Sequence, residues 1–177
     1  AAEVALRRNA PRDDLLTLLT QADEQGDALA DADIITTAIL LLNAGHEATV
    51  HALGNGVKAL LESGAQPDGG DEVGEEILRY DPPLHMFTRY VYEDMEFFGA
   101  QLTRGQQIGC LLGAANRDPN AYDNPAEFQP DRSGPKNASF GGGIHFCVGA
   151  PLARLELKVA LKALFDRCPN LALAEPP

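Results

Sequence analysis

The sequence predicts a mainly α-helical fold with a small β-sheet, and three observations carry that prediction. The apolar run "IITTAILLLNAG" continues into "VHALGNGVKALLES", which reads as one long helix from about Ala32 to Glu62. At 1.5 Å per residue it would be roughly 45 Å long. A second helical segment, "PLARLELKVALKALFDRC", carries Pro151 in its first turn, where proline is tolerated. Between them, "FTRYVYEDMEFFGAQLTRGQQIGCLLGAAN" reads as strands with turns at Phe98–Gly99 and Arg104–Gly105.

In chain order, "RRNAPRDDLL" looks like a linker entering a helix. "PRDDLLTLLTQADEQ" follows as that helix, with an acidic first turn and Leu15, Leu18 and Leu19 on one face. "GDALADADI" makes a turn, with Asp31 or Asp33 as a cap for the long helix. The first half of that helix is apolar all round, as in a buried central helix. "NAGHEAT", Asn43 to Thr49, interrupts the apolar pattern, and either the helix emerges into solvent there or the polar insertion is local. "DEVGEEILRYDPP" is a third helix stopped by Pro82 and Pro83. "RDPNAYDNPAEFQPDRSGPKNA" is irregular, and "LALAEPP" looks like the start of a strand.

Composition bounds the function. The 177 residues suffice for one domain with a core, and a net charge of −12 excludes a general nucleic-acid binder, which needs a basic surface. Cys110, Cys147 and Cys168 cannot all pair and form no C-x-x-C motif, so a reducing cytoplasm fits better than a disulfide framework. No apolar run is long enough for a bilayer, and no signal peptide opens the chain, so no membrane partner is expected.

"FGGGIHFCVG", residues 140–149, carries the chemistry. Glycines bring backbone close to something flat or bulky, and a helix beginning after Cys147 places positive potential near its sulfur. The stretch reads as a seat for a thiolate bound to a non-protein group. Glu76 and Arg79 lie three apart and share a helix face; alone they would be an ordinary exposed pair, and they gain meaning only with a further partner such as Arg132.

"EEILRY", then "FQPDR", then "FGGGIHFCVGAPLARLE" resembles the haem-thiolate monooxygenases, the cytochrome P-450 family, particularly its soluble bacterial members. "LLNAGHEAT" resembles that family's oxygen-binding helix, and the four motifs together span nearly the whole chain. The resemblance implies the carboxyl-terminal part of that fold: residues 1–177 as one partial domain lacking the amino-terminal half and the final hairpin. It implies Cys147 as the proximal iron ligand of haem b, with Phe140 shielding the thiolate and Gly141, Gly143 and Gly149 letting backbone approach the ring. Arg89 and His145 would meet the haem propionates; their alternatives are an edge-strand surface arginine and a loop histidine. Glu76, Arg79 and Arg132 resemble the family's structural charge network.

Ala44, Gly45, Glu47, Ala48 and Thr49 fall on the oxygen-binding motif, with Gly45 providing close approach and allowing a local helix distortion. Glu47 matches the family's acid, but Ala48 stands where a threonine usually follows. Thr49 is about 100° further round the helix and cannot simply replace it. His46 and His51 read as surface or packing residues. The implied activity is insertion of one atom of dioxygen into a small organic substrate with electrons from a ferredoxin-type donor. Lys136, Arg132, Arg154 and Lys158 would steer that donor, or form merely solvated surface charge. Two other readings stay open: a peroxide-driven enzyme, or a non-catalytic haem-binding or apo fragment.

Overall fold

The computed structural model describes residues 1–21, 26–67 and 70–174. The chain divides into two compact units, Ala1–Glu47 and Ala48–Pro177, with the boundary inside its longest helix.

The first unit holds α1 (Ala2–Asn9), α2 (Leu15–Thr20) and the opening turns of α3 (Asp31–Ser63). Of the expected linker, residues 7–9 belong to the end of α1, where Arg7 pairs with Glu3 one turn back and with Asp14 ahead at 2.8 and 2.6 Å, while residues 10–14 form the non-helical connection into α2. α2 is shorter than expected and begins after the acidic pair. Asp14 accepts from the Thr17 N–H as its N-cap, which removes residues 11–14 from the helix. The expected end of that helix, in residues 22–25, lies outside the described residues. Arg8 closes the unit by donating to Asp31, Thr20 O and Leu29 O.

α3 begins at Asp31, so both candidate caps sit in its first turn, where their charge complements the helix dipole. Its expected burial is corrected. Ile34 is buried, but Ile39, Leu40, Leu41 and Leu42 are exposed, Leu42 to 73%. Among its described residues the first unit offers two short helices besides α3, too little chain to cover apolar residues on every side of it.

The second unit has a continuous core. Ala52 and Leu60 of α3 pack with Val73, Ile77 and Leu78 of α4 (Asp71–Tyr80) and with Leu157 and Leu161 of α6 (Ala150–Arg167). Gly56 permits the approach of α3 to α4, since a Cβ there would lie 2.9 Å from Ile77 Cδ1. α4 ends at Asp81, before Pro82 and Pro83.

The strands form two ribbons rather than one sheet. β1 (Met86–Tyr90) pairs antiparallel with β4 (Gln107–Leu111), in a register from Met86↔Leu111 to Tyr90↔Gln107. β2 (Met95–Phe97) and β3 (Ala100–Leu102) form a hairpin. Its turn has φ of 49° at Phe98 and 78° at Gly99, as a type I′ turn requires. A short α5 (Leu112–Ala115) leads into the irregular stretch, and a 3₁₀ turn (Gly143–His145) precedes α6. Residues 171–174 form no strand: no partner strand lies beside them among the described residues, and Leu171 N–H turns back to Cys168 O.

Candidate functional site

The entrance of the cysteine loop is anchored before the loop begins. Buried Asn116 accepts from Ala138 N–H at 2.6 Å and donates to Ser139 Oγ at 2.8 Å, while Ser139 donates to Leu78 O. Asn137 donates to both the backbone and the carboxylate of Glu75. α4 therefore holds the loop on its near side.

The loop then folds on its own backbone. Gly141 and Gly143 take φ of 69° and 63°, a left-handed conformation that strains other residues. Cys147 N–H donates to Phe140 O at 3.0 Å, closing the loop, and Cys147 O accepts from Ala150 N–H as α6 begins. The Cys147 thiol is free and exposed. Around it Ile144 is 96% and Val148 91% exposed, with Phe146 half-exposed. An exposed sulfur framed by exposed apolar side chains has the chemistry of a seat for a large apolar group.

The donor set narrows what that group is. Among the described residues, no cluster of three or more His, Cys, Asp or Glu side chains is placed to hold a metal ion. The loop offers one sulfur, which suits a metal whose remaining ligands come from a macrocycle. Arg89, half-buried on β1, donates only to Thr88 O at 3.1 Å and has no carboxylate partner among the described residues. A cation in that state is available to an anionic group. His145 is exposed at the end of the 3₁₀ turn. These residues fit haem.

Glu76, Arg79 and Arg132 come together in a buried network. Arg79 donates to both Glu76 oxygens at 2.7 and 2.8 Å, Arg132 Nε adds bonds at 3.1 and 3.2 Å, and Gln129 N–H adds one at 2.8 Å. The remaining guanidinium donors go to backbone oxygens of Asn116, Asp123, Asn124, Pro125 and Glu127. Arg79 also lies over the Tyr122 ring at 5.4 Å, and burial pushes the Tyr122 phenol up from its ordinary range.

The expected basic steering group is corrected. Arg132 is bound to Glu76, Arg154 to Glu75, and Lys158 to Asp71 at 2.7 Å. Asp71 and Glu75 stand one turn apart on α4, facing Arg154 and Lys158 one turn apart on α6. Arg154 and Lys158 are matched across a helix seam and Arg132 by Glu76, which leaves Lys136 as the exposed member of that set with no carboxylate partner among the described residues.

On α3, the helix runs unbroken through Gly45; lacking a Cβ does not itself break the hydrogen-bond ladder. Ala44, Gly45, His46 and Glu47 are exposed, and Leu42, Asn43, His46 and Glu47 line an open recess of about 400 Å³. In the second unit, Ala48 and Thr49 are half-buried. Thr49 Oγ1 donates to Glu156 Oε2 of α6 at 3.2 Å. Sequence reasoning did not reach Asn116, Ser139, Glu75 or Glu156; their partners lie 22 or more residues away, and no local pattern announces them.

The model of the Cytochrome P450 family matches residues 71–170. The chain belongs to the cytochrome P450 family. It is 42% identical to the polyketide biosynthesis cytochrome P450 PksS of Bacillus subtilis (strain 168), over 97% of this chain and 44% of that protein. It is 41% identical to 6-deoxyerythronolide B hydroxylase of Saccharopolyspora erythraea, over 96% of this chain and 44% of that protein. Among solved P450 structures, Mycobacterium smegmatis CYP164A2 with econazole bound superposes with a TM-score of 0.91 at 42% identity, covering 99% of this chain and 46% of that one. The chain spans less than half the length of the relatives it matches. The mainly helical architecture with small sheets is that of the corresponding portion of the P450 fold. Among the described residues, no helix is long and apolar enough to cross a membrane.

Proposed function

We propose that this chain carries the haem-ligating part of a monooxygenase that inserts one atom of dioxygen into a small organic substrate. The observation that carries the proposal is the exposed Cys147 sulfur at the mouth of α6, in a loop closed by its own backbone. When bound, haem b supplies the iron at which dioxygen is cleaved, with electron density donated by the thiolate.

The chain's own residues hold and tune that group. Cys147 is the ligand, and the loop backbone fixes its direction. Gly141, Gly143 and Gly149 keep side chains out of the space beside the sulfur, and Phe140 covers the side facing the core. Arg89 and His145 neutralise the propionates. Glu76, Arg79 and Arg132 act structurally, pinning the irregular stretch to α4. On α3, Ala44 and Gly45 present small surfaces to the oxygen site, and Glu47 belongs to the proton-delivery region. Ala48 supplies no hydroxyl, so ordered water or a substrate hydroxyl completes the relay, while Thr49 is engaged by Glu156. In the whole protein, Ala48→Thr should raise product formed per electron pair; unchanged coupling would remove this account of position 48.

Electrons come from a ferredoxin-type donor in the cytoplasm, docked without help from Arg132, Arg154 or Lys158, whose charges are matched. The missing hydroxyl at Ala48 favours one alternative, direct use of hydrogen peroxide, which turnover with peroxide and no reductase would reveal. The ligation test mixes the purified chain with hemin, then adds reductant and carbon monoxide. A red-shifted Soret band that disappears in Cys147→Ser is expected. A band unaffected by that substitution would overturn the proposal.

A further inference from the structure

Arg154 sits seven residues beyond Cys147, on the second turn of α6, and makes two contacts of different kinds. Its Nε and Nη2 both bond the Glu75 carboxylate, Nη2 at 3.2 Å. The centre of its guanidinium lies 4.6 Å from the centroid of the Phe140 ring. Its charge also feels that of Cys147: the hydrogen bond to Glu75 first, and then the charges of Glu75 and Cys147, hold Arg154 above the ordinary arginine range against an opposing desolvation. Phe140 is the residue whose carbonyl receives the Cys147 N–H. Glu75 in turn binds Asn137, three residues before Phe140, through both its backbone and its carboxylate.

We propose that Arg154 is a positioning residue for the cysteine loop, acting through a contact in which Glu75 holds the guanidinium over the Phe140 ring. Phe140 is the hinge of the loop: its ring is clamped between the α6 arginine and the core, and its carbonyl fixes the Cys147 amide. A tilt of that ring moves the carbonyl, and the sulfur moves with it. The planar cation is required. A lysine can satisfy Glu75 as a point charge, but it cannot lie face-on over the ring while holding both carboxylate oxygens. The pairing with Glu75 also explains why this arginine contributes little to a docking field. Its charge is used inside the molecule. The consequence for haem ligation rests on the function proposed above; the clamp itself does not.

The test compares Arg154→Gln, Arg154→Lys and Phe140→Leu with the parent 177-residue chain, read first by amide hydrogen exchange without haem. In all three, exchange at the Cys147 amide should quicken about tenfold, the size of one well-ordered cation–π contact. Amides of Ile77, Leu157 and Leu161 should keep their parental rates. Equal quickening at the core amides would reduce Arg154 to a general stabiliser and overturn the proposal. So would a Cys147 amide indifferent to Arg154→Gln, or one fully restored by lysine. The second reading is the ferrous carbon monoxide spectrum after hemin loading, where Arg154→Gln should move part of the red-shifted band to shorter wavelength. If the parent itself shows no thiolate band while the exchange pattern holds, the haem reading fails and the clamp stands.

Discussion

Glu75 and Glu76 are neighbours in sequence and opposites in environment. Glu76 is 2% exposed, with two arginines and a backbone N–H on its carboxylate. Glu75 points about 100° away around α4 and meets Arg154 at a half-exposed seam. The same functional group therefore does two jobs. Buried, it is the centre of a network whose members cannot be removed singly, because each departure strands a charge away from water. At the seam, water screens the pair, so its net stabilisation is small and its worth lies in geometry.

The largest effect that separates the two sites is expected from Glu76→Gln. Removing the negative charge leaves Arg79 and Arg132 buried without a counterion, and urea unfolding should show a loss of about 3–5 kcal/mol. A loss below about 1 kcal/mol would erase the distinction between the neighbours. Arg132→Ala should come next, since Arg79 still satisfies Glu76 but the Asp123 carbonyl loses its donor and those of Asn124 and Glu127 lose one of two; about 1.5–3 kcal/mol is expected for hydrogen bonds to a charged group. A double-mutant cycle on Glu75 and Arg154 should return only about 0.2–1 kcal/mol of coupling, falling further in 1 M salt while the Glu76 network holds.

The smallest effect concerns Asp71, whose carboxyl is held below its ordinary range first by its hydrogen bond to Lys158 and then by that residue's charge. A depressed carboxyl stabilises the fold above its unfolded pKa, near 4, and that contribution fades as pH falls through the folded value. Asp71→Asn should therefore lower stability slightly at neutral pH, where the contribution is fully present, and the difference from the parent should vanish as pH falls well below about 4. A drop at pH 7 as large as that of Glu76→Gln would mean the seam is structural in the same sense as the core.

Local rules made much of this legible. Pro82 and Pro83 end α4, Pro151 marks the start of α6, Phe98–Gly99 turns the hairpin, and the glycines around Cys147 announce an unusual loop. Each depends on residues within a few positions of one another. Where reading failed, the deciding partner was distant or missing. Residues 2–9, to which local pattern alone assigned no helix, close as α1 with Arg7 bridging Glu3 and Asp14. The apolar turns of α3 looked buried because hydrophobicity states a preference for cover without supplying it. Arg132, Arg154 and Lys158 looked like a steering patch because charge along a sequence says nothing about which acid stands across the gap.

By itself, then, the sequence determined that α3, α4, α6 and the hairpin form, where Pro82 stops α4, and that one cysteine sits in a loop no ordinary core requires. Backbone sterics and hydrogen-bond periodicity operate over a few residues, so they can be read in order along the chain. Tertiary structure alone decided that Glu76 is buried and Glu75 is not, that Thr49 faces Glu156, and that Arg154 lies on Phe140. Solvent access and charge pairing depend on what packs alongside, and the groups concerned meet across as many as 107 positions of chain.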